Sequence, residues 1–269
     1  MNRGILIYAH NNEIINYVEL AKVSAKLAKE QLNYPVSLIS DSESLSSVTD
    51  VTIFDKIITI EKPELSNKRS SNGKISSFLN SNRNTAWDLT PYDHTLIIDA
   101  DYFVFTNKLN EYWDIDQSFL ISPGSNFFLE SNSGYLDKYV SYQGIPMKWA
   151  TTIMFKKNNE SKLYFDLVNI IRQEYLYFNL LYNFNPRLYR NDIAFSIADH
   201  ILNGHLSASI YYLPTINSVA VNSKILHIDK NFGVKILFDV DKDPYVIDIK
   251  NSDVHFMNKE DLIKHITVL

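Results

Sequence analysis

Residues 94–105 read HTLIIDADYFVF. The apolar, largely β-branched run from Thr95 to Ile98 is typical of a strand that is buried on both faces. Asp99 and Asp101 follow where this run ends, and residues i and i+2 of a strand project to the same side. Two like charges held close together raise each other's proton affinity unless a cation lies between them. The pattern predicts a divalent metal with oxygen ligands, and the alternative is a polar turn in which both aspartates cap backbone N–H groups.

The composition is that of an ordinary globular protein. The chain has 269 residues, of which 45% are hydrophobic and 21% charged, so extended disorder is excluded. A net charge of −5 does not favour non-specific attraction to nucleic acid. The absence of cysteine excludes disulfides, zinc–thiolate sites and thiol nucleophiles.

The chain contains no apolar run near the ~20 residues that span a bilayer, and its first apolar run is too short for the core of a signal peptide. We therefore expect a cytoplasmic protein without a membrane span. The frequent Asn, Ile, Lys and Tyr are typical of AT-rich genomes such as those of phages, so a viral source, and then the cytoplasm of the host cell, fits the composition.

Residues 4–9 and 36–40 predict two buried strands, joined by a helix over residues 13–32 that Asn11 or Asn12 caps. A strand–helix–strand unit of this kind implies parallel strands. Asn11, Asp41 and Asp99 then fall at the carboxyl ends of parallel strands, the edge at which open α/β sheets bind ligands.

Further along, residues 51–60 predict a short element and a third strand, and residues 61–73 a polar loop. We expect an irregular helix over 74–86, strands over 118–122 and 149–156, and one long helix over 160–182. Another helix begins near Asp192 and ends before Gly204, and short β segments fill 207–249. No linker separates two domains. The chain is expected to form a single α/β domain over 1–269, with a nucleotide-binding half (1–106) and an acceptor-binding half (107–269).

The opening strand, the aspartate that closes the second strand and above all TLIIDADYFV at 95–104 resemble the nucleotide-sugar glycosyltransferases of the A-type (GT-A) fold. This resemblance implies a Rossmann-like domain whose mixed, mainly parallel sheet is flanked by helices. It implies Mn²⁺ or Mg²⁺ on the two aspartates, bridging the diphosphate of a nucleotide-sugar donor, with a UDP-sugar favoured. The positions implied for contacts to this donor are Ala9, Asn11, Asp41, Asp99 and Ala100.

HFMNK at 255–259 is similar to the C-terminal His-Phe-x-x-x-x-Lys element of the glycogenin-like and galactosyltransferase-like family 8 enzymes. This similarity implies that His255 completes the metal shell and that Lys259 meets the donor diphosphate. The spacing is shorter here, and the Pro-Trp that follows in the family is missing. His227, in ILHIDK, is the alternative metal ligand.

YRNDIAFS at 189–196 is similar to the Asp-Gln-Asp-type segment of the same family, which lies beside the sugar. Arg190, Asn191 and Asp192 are the catalytic candidates it implies. Asp192 would be the general base of an inverting enzyme, or would hold the sugar in a retaining one. It could also simply cap a helix.

Two further sets of residues are weaker candidates. Lys74 and Arg83 lie in the basic segment before the Asp-x-Asp strand, where they would meet donor phosphates or belong to a solvated surface. Trp149 would stack on an acceptor ring or pack as a core aromatic. We expect acceptor specificity to lie in residues 123–146 and 184–190.

The sequence thus favours a metal-dependent glycosyltransferase of the hexosyltransferase type that moves a sugar from a nucleotide-sugar to the hydroxyl of a saccharide or other acceptor. One alternative is a non-catalytic nucleotide- or sugar-binding protein of the same fold. The other is a viral glucosyltransferase that acts on DNA bases, although the acidic pI of about 5.8 disfavours a nucleic-acid partner. A dehalogenase-type phosphatase is disfavoured because Phe103 stands where that family has Thr.

Overall fold

The structure is a computed structural model of the chain. The residues that it describes are 1–63, 67–71, 74–127, 138–142, 144–184, 188–205, 212–229, 233–240 and 243–266.

Fifteen strands lie within these residues. They are β1 (Arg3–Tyr8), β2 (Val36–Ser40), β3 (Lys56–Thr59), β4 (Lys68–Ser71), β5 (Lys74–Ser77), β6 (His94–Asp99), β7 (Tyr102–Phe103), β8 (Phe119–Ser122), β9 (Ser125–Phe127), β10 (Trp149–Lys156), β11 (Ile216–Val219), β12 (Lys224–Asp229), β13 (Gly233–Val240), β14 (Asp243–Ile249) and β15 (Val254–Phe256).

The α-helices of the same part of the chain are α1 (Tyr17–Leu32), α2 (Ser42–Ser46), α3 (Ala86–Leu89), α4 (Asn159–Gln173), α5 (Tyr175–Tyr182), α6 (Asn191–Leu202) and α7 (Lys259–Leu262). Two short 3₁₀ turns cover Arg83–Thr85 and Lys108–Tyr112.

A six-stranded sheet with the order β3-β2-β1-β6-β10-β8 forms the centre of the fold. The pairs β3–β2, β2–β1 and β1–β6 are parallel, whereas β10 runs antiparallel to both β6 and β8. Five strands therefore point one way and one points the other way. The helix α1 packs on β1 and β2, and α6 packs on β10. The predicted α/β class with a mixed, mainly parallel sheet is confirmed.

The strand β6 lies in the middle of this sheet because its sequence can be buried on both faces. Residues 94–98 are buried, and Asp99 at the carboxyl end is the first residue of the strand that is not fully covered. On one side Tyr8 of β1 is in register with Asp99, and on the other Thr152 of β10 pairs with Ile98. The predicted strand over 149–156 is confirmed as the neighbour of the Asp-x-Asp strand.

A second sheet, β7-β15-β11-β9, begins just beyond the end of β6. The three-stranded sheet β12-β13-β14 and the hairpin β4–β5 are separate. Because β15 pairs with β7, a segment near the C-terminus lies beside the Asp-x-Asp turn.

The irregular helix predicted over 74–86 is wrong. Lys74–Ser77 forms strand β5 of a hairpin with β4, and helical geometry begins only with the 3₁₀ turn at Arg83 and α3 at Ala86. The dipeptide Asn72-Gly73 between the two strands is a strong hairpin signal that outweighs the weak helical pattern of the segment. These two residues lie outside the described part of the chain.

Two helix boundaries also differ from the prediction. The first helix begins at Tyr17 with Asn16 as its cap, because the side chain of Asn12 instead accepts hydrogen bonds from the N–H groups of Ile14 and Ile15. The helix expected over 160–182 is divided at Glu174 into α4 and α5.

Within the described residues, no helix combines the length and the apolar character needed to cross a membrane.

His94, the first residue of β6, is a buried histidine without a charged partner. Its side chain is 2% exposed, its ring meets the Trp113 ring edge-on at 4.8 Å, and its Nδ1 has no hydrogen-bond partner among the described residues. Burial, together with the positive charges of Lys156 and Arg3, lowers the pKa of His94 to about 4. The imidazole is therefore neutral in the folded protein at neutral pH.

We expect this histidine to destabilise the protein in mild acid. The unfolded chain takes up the proton near pH 6.5 and the folded chain only near pH 4, so stability falls as the pH drops through that window, by about 2 kcal/mol between pH 7 and pH 4.5. The His94→Phe variant keeps a ring against Trp113 and should lose this part of the pH dependence in urea unfolding. The exposed His227→Gln variant should behave as the native chain. An unchanged pH dependence in His94→Phe would contradict the assignment.

Candidate functional site

The carboxyl end of β6 brings Asp99 and Asp101 to the same place, as their spacing predicted. Their side chains are 16% and 5% exposed, and both line a cavity of about 250 Å³. Ala100 between them also lines this cavity. The two carboxylates thus stand at the border between the core and a space that a ligand can enter.

His255 reaches these aspartates through the second sheet. In the register of β15 with β7, His255 lies opposite Tyr102, and the N–H of Phe256 donates to the carbonyl of Asp101 at 2.9 Å. The Nε2 atom of His255 is 3.5 Å from Asp101 Oδ1 and 3.8 Å from Asp99 Oδ2. Its Nδ1 atom is 3.5 Å from the hydroxyl of Ser218, which fixes the orientation of the ring.

Asp99, Asp101 and His255 have the chemistry and the spacing of a divalent metal site. One ligand atom from each lies within 4.8 Å of the other two. An ion with bonds of about 2.1 Å holds adjacent ligand atoms about 3 Å apart, so small side-chain movements would close the site. Two carboxylates suit Mn²⁺ and Mg²⁺, and an imidazole suits a transition ion. The residues fit the group that the sequence implied.

Two cations from distant parts of the chain complete this cluster. Arg83, in the 3₁₀ turn before α3, forms an ion pair with Asp99, and its side chain is 8% exposed. Lys259, the first residue of α7, places its Nζ 2.7 Å from Asp101 Oδ2. Both side chains line the cavity.

These cations decide the ionisation of the buried acid. Burial by itself raises the pKa of Asp101, but the charges of Lys259 and His255 and their hydrogen bonds outweigh it and hold the pKa well below its usual range. Burial also lowers the pKa of the Arg83 guanidinium, against the carboxylates around it. Asp101 is therefore a carboxylate at neutral pH, which is the state that binds a metal.

The start of α6 forms the opposite wall of the cavity with Arg190, Asn191 and Asp192. The Asp192 carboxylate accepts hydrogen bonds from the N–H of Ala150 and from Arg190, both at 3.0 Å. Burial raises the pKa of Asp192, but the charges of Arg190 and Arg83 more than offset this, so the net pKa is lowered. Asp192 does not cap α6 with its side chain, since the N-cap position belongs to Arg190.

Asn80 is a residue of the site that no sequence pattern singles out. Its side chain accepts a hydrogen bond from the N–H of His10 at 2.8 Å, and its carbonyl accepts one from the side chain of Asn191 at 3.0 Å. It thereby ties the end of β1 to the start of α6, and it lines the cavity. Its partners are 70 and 111 residues away, so no local pattern could reveal them.

Three predicted nucleotide contacts do not line the cavity in the described part of the structure: Ala9, Asn11 and Asp41. The Asp41 carboxylate is 2% exposed and is occupied by the ring of His10 at 2.8 Å and by the N–H and hydroxyl of Ser44. Asn11 accepts from the N–H of Val18 and donates to Ser47. These hydrogen bonds hold the ends of β1 and β2 together, and the nucleotide contacts expected for these residues stay a prediction.

The remaining candidates are placed as follows. His227 is exposed on β12 and is not part of the metal-type cluster found among the described residues. Lys74 begins β5, and its side chain lies outside the described part. Parts of the two loops expected to select the acceptor also lie outside the described part of the chain, namely residues 128–137, 143 and 185–187.

Trp149 at the start of β10 lines the cavity although it is 5% exposed. Its ring meets the His255 ring at 6.2 Å and the Phe127 ring at 5.7 Å, both at steep angles. Together with the Nε atoms of Arg83 and Arg190, its indole Nε1 is a buried donor without a hydrogen-bond partner among the described residues. Trp149 thus packs its ring against neighbouring rings and also places its indole N–H close to the site.

No protein-family model matches the chain, and no curated protein matches it. Among solved structures, a galactosyltransferase LgtC in complex with donor and acceptor sugar analogues is similar, with a TM-score of 0.48 and 17% identity over 72% of this chain and 70% of that one. An active-site mutant of LgtC gives a TM-score of 0.48 and 16% identity over 72% and 69% of the two chains. The glycosyltransferase GlyE of Streptococcus pneumoniae TIGR4 gives a TM-score of 0.40 and 12% identity over 68% and 43%.

We expect the cluster to bind Mn²⁺ through the three side chains. Loss of a residue that only supports a metal ligand typically weakens metal binding about 10–100-fold. Asp101→Asn and His255→Gln each remove a direct ligand, so each should weaken Mn²⁺ binding by at least about tenfold. Titration followed by the Mn²⁺ electron paramagnetic resonance signal measures this. The His227→Gln variant is the matched control and should bind as the native chain does. Equal affinities in all four proteins would place the metal elsewhere.

Proposed function

We propose that this chain is a metal-dependent glycosyltransferase that uses a nucleotide-sugar donor. The observation that carries the proposal is the set of paired charges in one cavity at the carboxyl edge of the sheet. Asp99, Asp101 and Asp192 pair with Arg83, Lys259 and Arg190, and His255 lies between the first two acids. A metal–diphosphate needs both signs of charge in one place, because carboxylates bind the ion and cations bind the phosphates.

In this proposal Asp99, Asp101 and His255 hold Mn²⁺ or Mg²⁺, and the imidazole favours Mn²⁺. The ion, once bound, would neutralise the charge that develops on the departing nucleoside diphosphate. The chain itself would supply ligands that are already ionised and held in place. The strand β6 and the turn after it position the two aspartates, and β15 positions the histidine.

Lys259 and Arg83 would face the diphosphate. Without a metal, each neutralises one aspartate, so the cluster of two acids and two cations carries no net charge. A divalent ion adds two positive charges, and a diphosphate carries a matching negative charge. Metal and diphosphate should therefore bind cooperatively, each raising the affinity for the other by the same factor. The buried Nε donor of Arg83 also gains an acceptor when a phosphate binds.

Asp192 would orient a hydroxyl of the sugar or of the acceptor, and not remove its proton. A general base works best with a pKa near the working pH, whereas the pKa of Asp192 is lowered by Arg190 and Arg83. Both of its oxygens already accept hydrogen bonds, from Ala150 and Arg190. Such a carboxylate is a fixed acceptor for a sugar hydroxyl.

The test of donor binding is thermal unfolding with UDP-, GDP-, CDP- and ADP-sugars, each with and without Mn²⁺. At a concentration of about 100 times its Kd, the donor sugar should raise the midpoint by about 5 °C above the value with Mn²⁺ alone, and without Mn²⁺ it should raise it little. Asp101→Asn should abolish the shift and His227→Gln should keep it. We also expect Mn²⁺ to bind more tightly when the nucleotide is present. Absence of a metal-dependent response to all four donors would refute the proposal.

The role of Asp192 is tested by the Asp192→Asn variant. A misplaced reacting group can cost about 100-fold, so kcat/KM should fall by about that factor while the metal-dependent thermal shift is retained. Asp166→Asn, an exposed acid on α4, is the control and should leave turnover unchanged. Native turnover in Asp192→Asn would remove this residue from the site.

A further inference from the structure

The helices α4 and α5 present a line of large apolar side chains to solvent. Leu163 is 57% exposed, Ile170 49%, Tyr177 60% and Leu181 49%. At about 100° per residue, Leu163 and Ile170 lie within about 20° of one another around the axis of α4, and Tyr177 and Leu181 within about 40° around the axis of α5. Each helix thus presents an apolar pair on its exposed side, and the two pairs together are called the stripe.

The helices α4 and α5 follow one another directly at Glu174. The N–H of Glu174 donates to the carbonyl of Ile170 at 2.9 Å, and the N–H of Phe178 donates to the carbonyl of Glu174 at 3.1 Å. Between these two bonds the backbone of Glu174 is not helical, with φ −103° and ψ 33°, so α4 and α5 are consecutive helices and not one continuous helix.

The opposite side of the same helices packs in the core and is not available. Phe165, Val168, Ile171, Tyr175 and Phe178 are all buried. A helix that packs one apolar side in the core normally exposes a polar side. Here α5, with the sequence YLYFNLLY, contains no charged residue at all.

Two further side chains widen the stripe over α5. Leu176 is 66% exposed and Leu180 is 81% exposed. Six side chains that each leave about 100 Å² in solvent give about 600 Å² of apolar surface, the upper end of what monomers expose. This is also most of the roughly 800 Å² per partner that a standard protein–protein interface buries.

We propose that this surface, defined by Leu163, Ile170, Leu176, Tyr177, Leu180 and Leu181, is the interface of a homodimer in which two copies pair through α4 and α5. A two-fold axis places this surface of one copy on the same surface of the other.

A second copy fits this surface better than a lipid bilayer does. Glu174 lies at the junction of the two helices, between Ile170 and Tyr177 in the chain, and the ion pair of Lys162 with Asp166 lies on α4. Such charges can keep water at a protein–protein interface, whereas in hydrocarbon they are costly. The net charge of −5 also works against an anionic membrane surface.

The first test is the mass of the full chain in solution, by sedimentation equilibrium between about 1 and 100 µM, the range in which interfaces of this size associate. We expect twice the 31.1 kDa of one chain. Leu180→Glu should raise the dissociation constant at least about tenfold, which corresponds to the loss of one well-buried contact. Val246→Glu, at a 57% exposed position on β14, should leave the dimer unchanged. Unchanged circular dichroism of Leu180→Glu shows that its fold is intact.

A second test does not depend on a charged variant. The chain has no cysteine, so Ile170→Cys or Tyr177→Cys introduces a single thiol near the middle of the stripe. At least one of them should form disulfide-linked dimers on mild oxidation, and Val246→Cys should not. A single-chain mass at every concentration would overturn the proposal, as would equal cross-linking at Val246, or a monomer that floats with phosphatidylcholine vesicles.

Discussion

The repulsion between Asp99 and Asp101 is the constraint that the rest of the site satisfies. Two carboxylates at the end of one buried strand cannot both remain charged without nearby positive charge. The fold supplies that charge from two sides: Arg83 comes from the segment before β6, and Lys259 from α7 near the end of the chain. Removing a single cation would leave a buried charge without a partner, which is among the most destabilising changes that a core can undergo.

The part of the site that lies on β6 could be predicted because its signal is local. A run of apolar residues defines the strand, and a period of two fixes Asp99 and Asp101 on one side. The strand at 149–156 could be predicted for the same reason. The contact of His255 with Asp101 has a different origin, since it depends on the pairing of β15 with β7 across more than 150 residues. Only the resemblance to a known motif pointed to it.

The positions at the ends of β1 and β2 show that side chains at one edge of a sheet can have very different surroundings. Parallel strands bring Asn11, Asp41 and Asp99 to the same edge of the sheet, as expected. Local groups then compete for the side chains: Asp41 caps α2 and binds the ring of His10, while Asn11 binds Val18 and Ser47. Asp99 instead meets Arg83 and His255, and its carboxylate lines the cavity. The sheet determines where a side chain lies, and its neighbours determine whether it is free to bind.

A short chain of side-chain contacts connects α5, which carries part of the apolar surface, with the candidate site. The Tyr175 ring, on the buried side of α5, packs against the Tyr189 ring at 5.1 Å, and the hydroxyl of Tyr189 donates to the side chain of Asn191 at 3.2 Å. Asn191 in turn donates to Asn80 beside the cavity. Short helices at a surface are the elements that open most easily. Any partner that covers the outer side of α5 would therefore also stabilise the inner side, and with it the position of Arg190 and Asp192 opposite the paired aspartates.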